Sequence, residues 1–285
     1  MGKFDGVLLA SDFDDTLYSS KLTGPDAPER QETDQGTGPI LTPENHAALE
    51  YFIAQGGRFI VATGRSKRTF VRYVGRMPMN GPAVLANGAV IYDFDTGKEL
   101  YHTTLRPQVA ADIKALAAAF PTLGFELQFD DAVYIYRPND TTWLHLRRLG
   151  LDDRECSLEE MPTPWTKRVI QDHHGALLAA QRYMNELWGD YYEPIFSNAH
   201  LLELTSKGST KGGMVLKVAE LLNIKHEHIY CIGDNQNDIP MLAVSAVPYA
   251  PANCAREVRD WGATLLGTCE ENCVAQLVDI LDKRY

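Results

Sequence analysis

The sequence predicts an α/β protein, a parallel-sheet core covered by helices and interrupted by an inserted α+β unit. Three observations predict it. Apolar strand-like runs alternate with helix-period segments at both ends of the chain, short strand-like runs crowd the middle, and every core run ends in polar, reactive residues. The pattern places the core at residues 1–87 and 207–285 and the insertion at 88–206.

The elements follow in order. "GVLLASD" reads as a buried strand. "LTPENHAALEYFIAQGG" reads as a helix capped by Thr42, with Pro43 at its first position and Gly56 and Gly57 at its end. "RFIVATG" is a second strand, residues 66–76 a helix, and "PAVLANG" a third strand ending in a turn. Residues 19–41 are polar and rich in glycine and proline, which predicts a long surface loop. In the middle, "AVIYD", "KELYHTTL", "FELQF", "AVYIYR", "WTKRVIQD" and "HLLELT" read as strands, with helices around 107–119 and 176–188. Paired short strands with two helices suggest an antiparallel sheet carrying its helices on one face. The alternation then resumes, with a helix over "TKGGMVLKVAELLNI", a strand at "HIYCIGD", a short helix at "NDIPMLAVS" and a strand at "AVPYA". Strand–helix alternation implies right-handed crossovers and a sheet buried on both faces.

Composition narrows the function classes. With 285 residues, 45% hydrophobic and 23% charged, there is material for one large core or two smaller ones. A formal charge of −11 gives no basic surface for nucleic acid or an anionic membrane, so neither partner is expected. No apolar run approaches the roughly 18 residues of a membrane span. The start "MGKFDGVLLASD" lacks a signal-peptide core and has Gly6 where a myristoylation signal wants Ser or Thr. A cytoplasmic protein, monomeric or homodimeric, is the expectation. Five scattered cysteines argue against a disulfide framework, and "CEENC" lacks the second ligand pair of a zinc site.

The chemistry sits where parallel strands end, because loops and helix N-termini gather there. "SDFDDT" sets Asp12 and Asp14 two apart, and a turn at Phe13 can aim both carboxylates into one pocket. Close carboxylates repel, and a divalent cation would neutralise them; oxygen-only surroundings that include Asp234 suit magnesium better than zinc. Alone, such a pair more often caps a turn. "VATGR" adds Thr63, whose hydroxyl and neighbouring backbone N–H groups can hold a phosphate oxygen near a helix start. "STKGG" adds Lys211 at a helix N-terminus, and "GDNQND" adds Asp234 with Asn237 and Asp238 as further polar contacts. Lys211 by itself reads as a solvated helix-start lysine and Thr63 as a cap; together, on strand ends, they read as a site. Arg65 and Asn87 also end core strands, where they touch a substrate or brace the loop that does, and Arg65 is equally placed to pair with Asp238.

The set "DFDDT", "ATGR", "STKGG" and "GDNQND", in that order, resembles the four motifs of the haloacid dehalogenase-like hydrolases, and within them the Cof-type, sucrose-phosphatase-like phosphatases. The resemblance covers most of the chain, including a tail similar to the family's closing segment. It implies a Rossmann-like core with a large cap inserted between the second and third motifs. It further implies Asp12 as nucleophile, Asp14 as general acid and base, and Thr63, Gly64, Lys211 and Asn237 as phosphate-binding residues. Mg2+ would sit between Asp12, the backbone carbonyl of Asp14 and Asp234; Arg65, Asn87 and Asp238, read from the strand ends and loops themselves, are expected to surround the site. The activity implied is hydrolysis of small phosphorylated metabolites, with sugar phosphates the expected class, through an aspartyl-phosphate. A phosphomannomutase-like phosphotransferase and an inactive binding protein on the same fold are the alternatives.

Two features depart from the family pattern. Pro251 and Cys254 stand where glycine and alanine are usual, which puts the shape of the loop near the metal in question, and the 19–41 loop is longer than expected. Leaving-group selection falls to the insertion, where Tyr134, Tyr136, Arg137, Trp143, His145 and Arg147 are the candidates. His173 and His174 beside Asp172 read as a solvated pair at a strand end rather than a metal site.

Overall fold

The structure, a computed structural model, describes residues 2–19, 40–129, 132–149 and 153–285, without the side chains of 132, 148 and 149. The expected long loop at 19–41 therefore lies almost wholly outside the described residues. The chain separates into two units: one runs to Tyr101 and resumes at Thr210, the other is His102–Ser209.

The first unit opens with β1 (Leu8–Ser11), α1 (Pro43–Ala54), β2 (Arg58–Val61), α2 (Lys67–Phe70), β3 (Ala83–Leu85), β4 (Val90–Asp93) and β5 (Lys98–His102). The second unit holds α3 (Val109–Ala119), β6 (Gly124–Phe129), β7 (Ala132–Tyr136), α4 (Asp140–Leu149), β8 (Asp153–Glu155), β9 (Arg168–Gln171), α5 (His174–Trp188), β10 (Tyr192–Asn198) and β11 (Leu201–Ser206). The first unit then closes with α6 (Lys211–Leu221), β12 (Ile229–Ile232), α7 (Ile239–Leu242), β13 (Pro248–Ala250), α8 (Arg256–Trp261), β14 (Thr264–Leu265) and α9 (Cys273–Arg284).

In the first unit five parallel strands lie in the order β14-β13-β12-β1-β2, and an Ala62–Val84 bridge adds β3 beside β2. Alternation along the strands sorts two cores. Leu9, Phe59, Val61, Tyr230 and Ile232 pack with Leu49 and Phe52 of α1 and Leu277 and Leu281 of α9. Leu8, Ala10, Ile60, Ile229 and Cys231 pack with Val215 and Val218 of α6, Met241 of α7 and Val258 of α8. Each fully buried large apolar side chain contributes about 1.5–3 kcal/mol. With that burial on both faces, β1 and β12 stand rigid at the centre of the sheet and carry the motif loops at their ends.

The unit boundaries differ from the expected 88 and 206. Residues 88–101 belong to the first unit, because β3, β4 and β5 form one small sheet and Val90, Ile91 and Tyr92 are buried in its two cores.

The second unit is a six-stranded sheet, β10-β11-β9-β6-β7-β8, antiparallel except for the β7–β8 pair. Phe125, Ile170 and Leu202 pair in register and face α3 and α5, through Ile113, Leu116, Leu177 and Met184. The expectation of helices on one face is corrected by α4, which the sequence reading did not include. It lies on the opposite face, with Leu146 packed on Val133 and Ile135. That face also buries polar residues. Thr142 donates to Gln171 (2.8 Å), Gln171 donates to Glu126 (2.7 Å), and His145 Nδ1 lies 2.8 Å from Glu126. No helix among the described residues is long and apolar enough to cross a membrane.

Candidate active site

Asp12 follows β1 directly, its backbone N–H donating to Ile232 O (2.9 Å) so that the strand's pairing with β12 continues into the motif. Its carboxylate is 6% exposed and accepts from Lys211 Nζ at 2.5 Å. Lys211 is the first residue of α6, whose cap Thr210 accepts from Gly213 N (3.1 Å), and it is 1% exposed. The alternative of a solvated lysine is thereby excluded. Gly212 is needed beside it, because a Cβ there would stand 2.0 Å from Pro240 O. The same ammonium donates to Asp238 Oδ1 at 2.6 Å, and Asp238 Oδ2 accepts from the backbone N–H groups of Asp234 and Asn235, both at 2.9 Å. Asp238 thus ties the lysine to the "GDNQND" turn and shapes that turn.

Asp12, Asp234 and Asp238 each offer an oxygen within 4.8 Å of the others, all three buried. Burial, followed by the charge of Asp238, pushes Asp12 up, against the pull of Lys211; burial, followed by the charges of Asp12 and Asp238, pushes Asp234 well up. Burial would lower Lys211, but the two carboxylates on it outweigh that and raise it. Three buried carboxyl groups face one ammonium, and the upward push on two of them shows a site of oxygen donors short of positive charge. That donor set and charge fit a hard divalent cation. Thr16 completes the surroundings, its hydroxyl donating to Asp234 Oδ1 (3.0 Å) while Cys273 Sγ donates to Thr16 O (3.3 Å). In the loop with the unusual Pro251 and Cys254, Asn253 Nδ2 donates to Asp15 O and its Oδ1 accepts from Cys269 N, both at 2.8 Å.

Asp14 lies close enough for its charge to add to the upward push on Asp12. Its side chain, 39% exposed, is held by Arg65 through Nε (2.8 Å) and Nη2 (2.7 Å). Arg65 therefore pairs with Asp14, whereas the Asp238 partner considered for it is Lys211. Thr63 is 1% exposed; its N–H donates to Val84 O (2.8 Å) and its hydroxyl oxygen accepts from Arg65 N (3.1 Å), across Gly64. Asn237 Nδ2 donates to Asn87 Oδ1 at 3.0 Å, both residues buried.

Two residues carry more than the sequence indicates. Asp238, expected as a further polar contact, is fully buried and braces both Lys211 and the backbone that carries Asp234. Thr16 was quoted within "DFDDT" without a role; a hydroxyl at the end of an acidic motif was the available signal.

The insertion's candidates divide by what they touch. Tyr134 and Tyr136 pack on the α3/α5 core, Arg137 donates to Ala117 O (2.5 Å) and Pro121 O (2.6 Å), and His145 lies against Glu126. Trp143 and Arg147 are exposed on α4. Asp172 accepts from Thr122 (2.5 Å) and from His173 N (2.6 Å), and no metal-binding group forms there among the described residues.

A parallel sheet with carboxylates, a buried lysine and a threonine gathered at its carboxyl end defines a hydrolase-type α/β core. The chain belongs to the haloacid dehalogenase-like hydrolase family, whose model matches residues 9–278. It is similar to 5-amino-6-(5-phospho-D-ribitylamino)uracil phosphatase YwtE of Bacillus subtilis, at 25% identity over 85% of this chain and 92% of the relative. Its fold is similar to that of a phosphatase of this superfamily from Bacteroides thetaiotaomicron, with TM-score 0.80 and 18% identity over 98% and 96% of the two chains. It is likewise similar to that of a subclass IIB sugar phosphatase, with TM-score 0.78 and 18% identity over 97% and 99%.

Proposed function

We propose that the protein is a magnesium-dependent phosphatase of small phosphorylated metabolites, with sugar phosphates as the preferred class. The observation that carries the reading is Lys211, buried between Asp12 and Asp238 in a cluster of three buried carboxyl groups that includes Asp234. The family membership and the phosphatase names of the relatives support it.

In this reading Asp12 attacks phosphorus, forming a carboxyl–phosphate bond as the bond to the leaving oxygen breaks. Lys211 balances charge on the phosphoryl oxygens, and Thr63 donates its hydroxyl hydrogen to one of them, its oxygen already accepting from Arg65 N. Asp14 gives a proton to the leaving oxygen, then takes one from the water that cleaves the aspartyl-phosphate, which returns Asp12 as a carboxylate. Asp12, Asp234 and the Asp14 carbonyl would hold magnesium, which when bound supplies charge neutralisation for two anions brought together. The second unit is assigned as the cap that selects the leaving group.

The test is free phosphate released from sugar phosphates, nucleotides and an aryl phosphate, with and without magnesium, by the protein and by Asp12→Asn. Magnesium-dependent release that the substitution abolishes is expected. No release from any compound with magnesium present would sink the reading.

A further inference from the structure

Ala86, Asn87 and Gly88 stand in succession in the left-handed region, with φ of 51, 55 and 98°. Glycine enters that region freely and asparagine tolerably, but alanine does so at a cost, so such a run persists only where its surroundings over-determine it. Here the surroundings are the motif loops. Ala86 N donates to Arg65 O (2.8 Å) and Asn87 N donates to Thr63 O (3.0 Å). A Cβ on Gly88 would stand 2.3 Å from Thr210 O, and Thr210 caps the helix that begins at Lys211. The Asn87 side chain, 1% exposed, reaches the fourth motif through Asn237. One strained turn thus touches the Thr63 loop, the start of α6 and the Asn237 loop.

The amide pair itself is incomplete. Asn87 Nδ2 and Asn237 Oδ1 are both buried without a protein partner. A pair kept only for stability would be as well served by apolar groups, because unsatisfied amide atoms penalise burial. Retaining two carboxamides here makes sense if their orientation matters to what enters the site.

We propose that Asn87 is a positioning residue: its amide fixes the Asn237 carboxamide, and its left-handed turn fixes Thr63 and Lys211 at the spacing that one phosphoryl group requires. The proposal rests on the phosphatase reading above. It gives this turn, which lies outside the four motifs, a part in phosphate binding.

The test compares the full-length protein with Asn87→Gly, which keeps the left-handed backbone and removes the amide, with Asn237→Ala, and with both together. The readouts are kcat, KM, the inhibition constant of orthophosphate and the melting temperature. Each single substitution is expected to weaken orthophosphate inhibition and lower kcat/KM by about ten- to a hundredfold, as loss of alignment does. The double variant is expected to lose little beyond either single one, because the two side chains act as one unit. Phosphate release that the wild-type protein fails to show would overturn the underlying reading. Wild-type release together with unchanged kinetics and orthophosphate inhibition in the single variants, or losses that multiply in the double, would overturn the positioning role alone. Should Asn87→Gly not fold, Asn87→Ser, which removes the carboxamide and leaves Asn237 in place, decides in the same way.

Discussion

Arg65 and Asp14 form a fork, Nε to Oδ2 at 2.8 Å and Nη2 to Oδ1 at 2.7 Å, with the guanidinium 5.1 Å from the Tyr73 ring centre and 5.5 Å from that of Phe13. Both carboxylate oxygens accept from the guanidinium. A proton donor to the leaving group must turn from that fork or share it.

The first prediction separates the two jobs assigned to Asp14. An alkyl phosphate needs its leaving oxygen protonated, whereas an aryl phosphate with an acidic phenol does not. Asp14→Asn is expected to slow sugar-phosphate turnover by about 10²–10⁴-fold. With the aryl phosphate the same variant should release about one equivalent of phenol in a burst and then stall, because the aspartyl-phosphate has lost the base that activates water. Rapid-mixing measurement of phenol release checks this. Steady wild-type turnover of both substrates would remove Asp14 from the mechanism.

The second prediction concerns the cluster of Asp12, Asp234 and Asp238. Magnesium at about a hundredfold above its Kd should stabilise the folded protein by about 2.7 kcal/mol, read as a rise in melting temperature that EDTA reverses. Asp12→Asn, which leaves Lys211 paired with Asp238, should lose most of the magnesium shift. A full magnesium shift in that variant would place the cation elsewhere.

How much of this was legible in the sequence depends on which residues set the period. The parallel core was, because both faces of β1 and β12 are apolar and each strand ends at a chemical motif. Helix α4 was not: "DTTWLHLRRL" is polar on average, turns Thr142 and His145 inward to a polar cluster and leaves Trp143 and Leu144 exposed, so its inward face did not read as an apolar stripe. The boundary at 88 was not, because β4 returns antiparallel on β3 and keeps the chain in the first unit to Tyr101. The polar residues that gather at the strand ends were legible by type and order. Their partners were not, because Lys211 meets Asp238 across 27 residues and Arg65 meets Asp14 across 51, and only the fold sets such pairings.

The third prediction follows from a buried ion pair losing one partner. Lys211→Met should lower unfolding stability in metal-free buffer by about 3–5 kcal/mol, because Asp12 and Asp238 then keep buried charges without compensation. Part of the loss should return on adding magnesium, while turnover should not. Lys211→Arg is expected to fail as well, since a planar guanidinium cannot replace a point charge enclosed at 1% exposure. Urea unfolding with and without magnesium reads the stabilities. A methionine variant as stable as the wild type without metal would mean that the lysine's pairing contributes nothing.

The fourth prediction uses Glu126 and His145 in the second unit. Burial would raise Glu126, but His145 beside it, with Gln128 and Lys167, outweighs that and holds the carboxyl at about 2. Burial would lower His145, but Glu126, with Glu203 in support, raises it. The signs differ. Glu126, depressed on folding, contributes stability that is present above its unfolded value near 4.3 and is lost as pH falls toward about 2. His145, raised on folding, contributes stability that is present below its unfolded value of about 6.5 and is lost as pH rises through the folded value. Stability from the pair should therefore be greatest between about pH 4.5 and 6.5 and fall on either side. Glu126→Gln removes the charge that raises the imidazole, so it should flatten the alkaline fall in the unfolding midpoint. Unfolding midpoints measured from pH 4 to 9 for the two proteins check this, and an equal alkaline slope in both would show that the pair does not govern it.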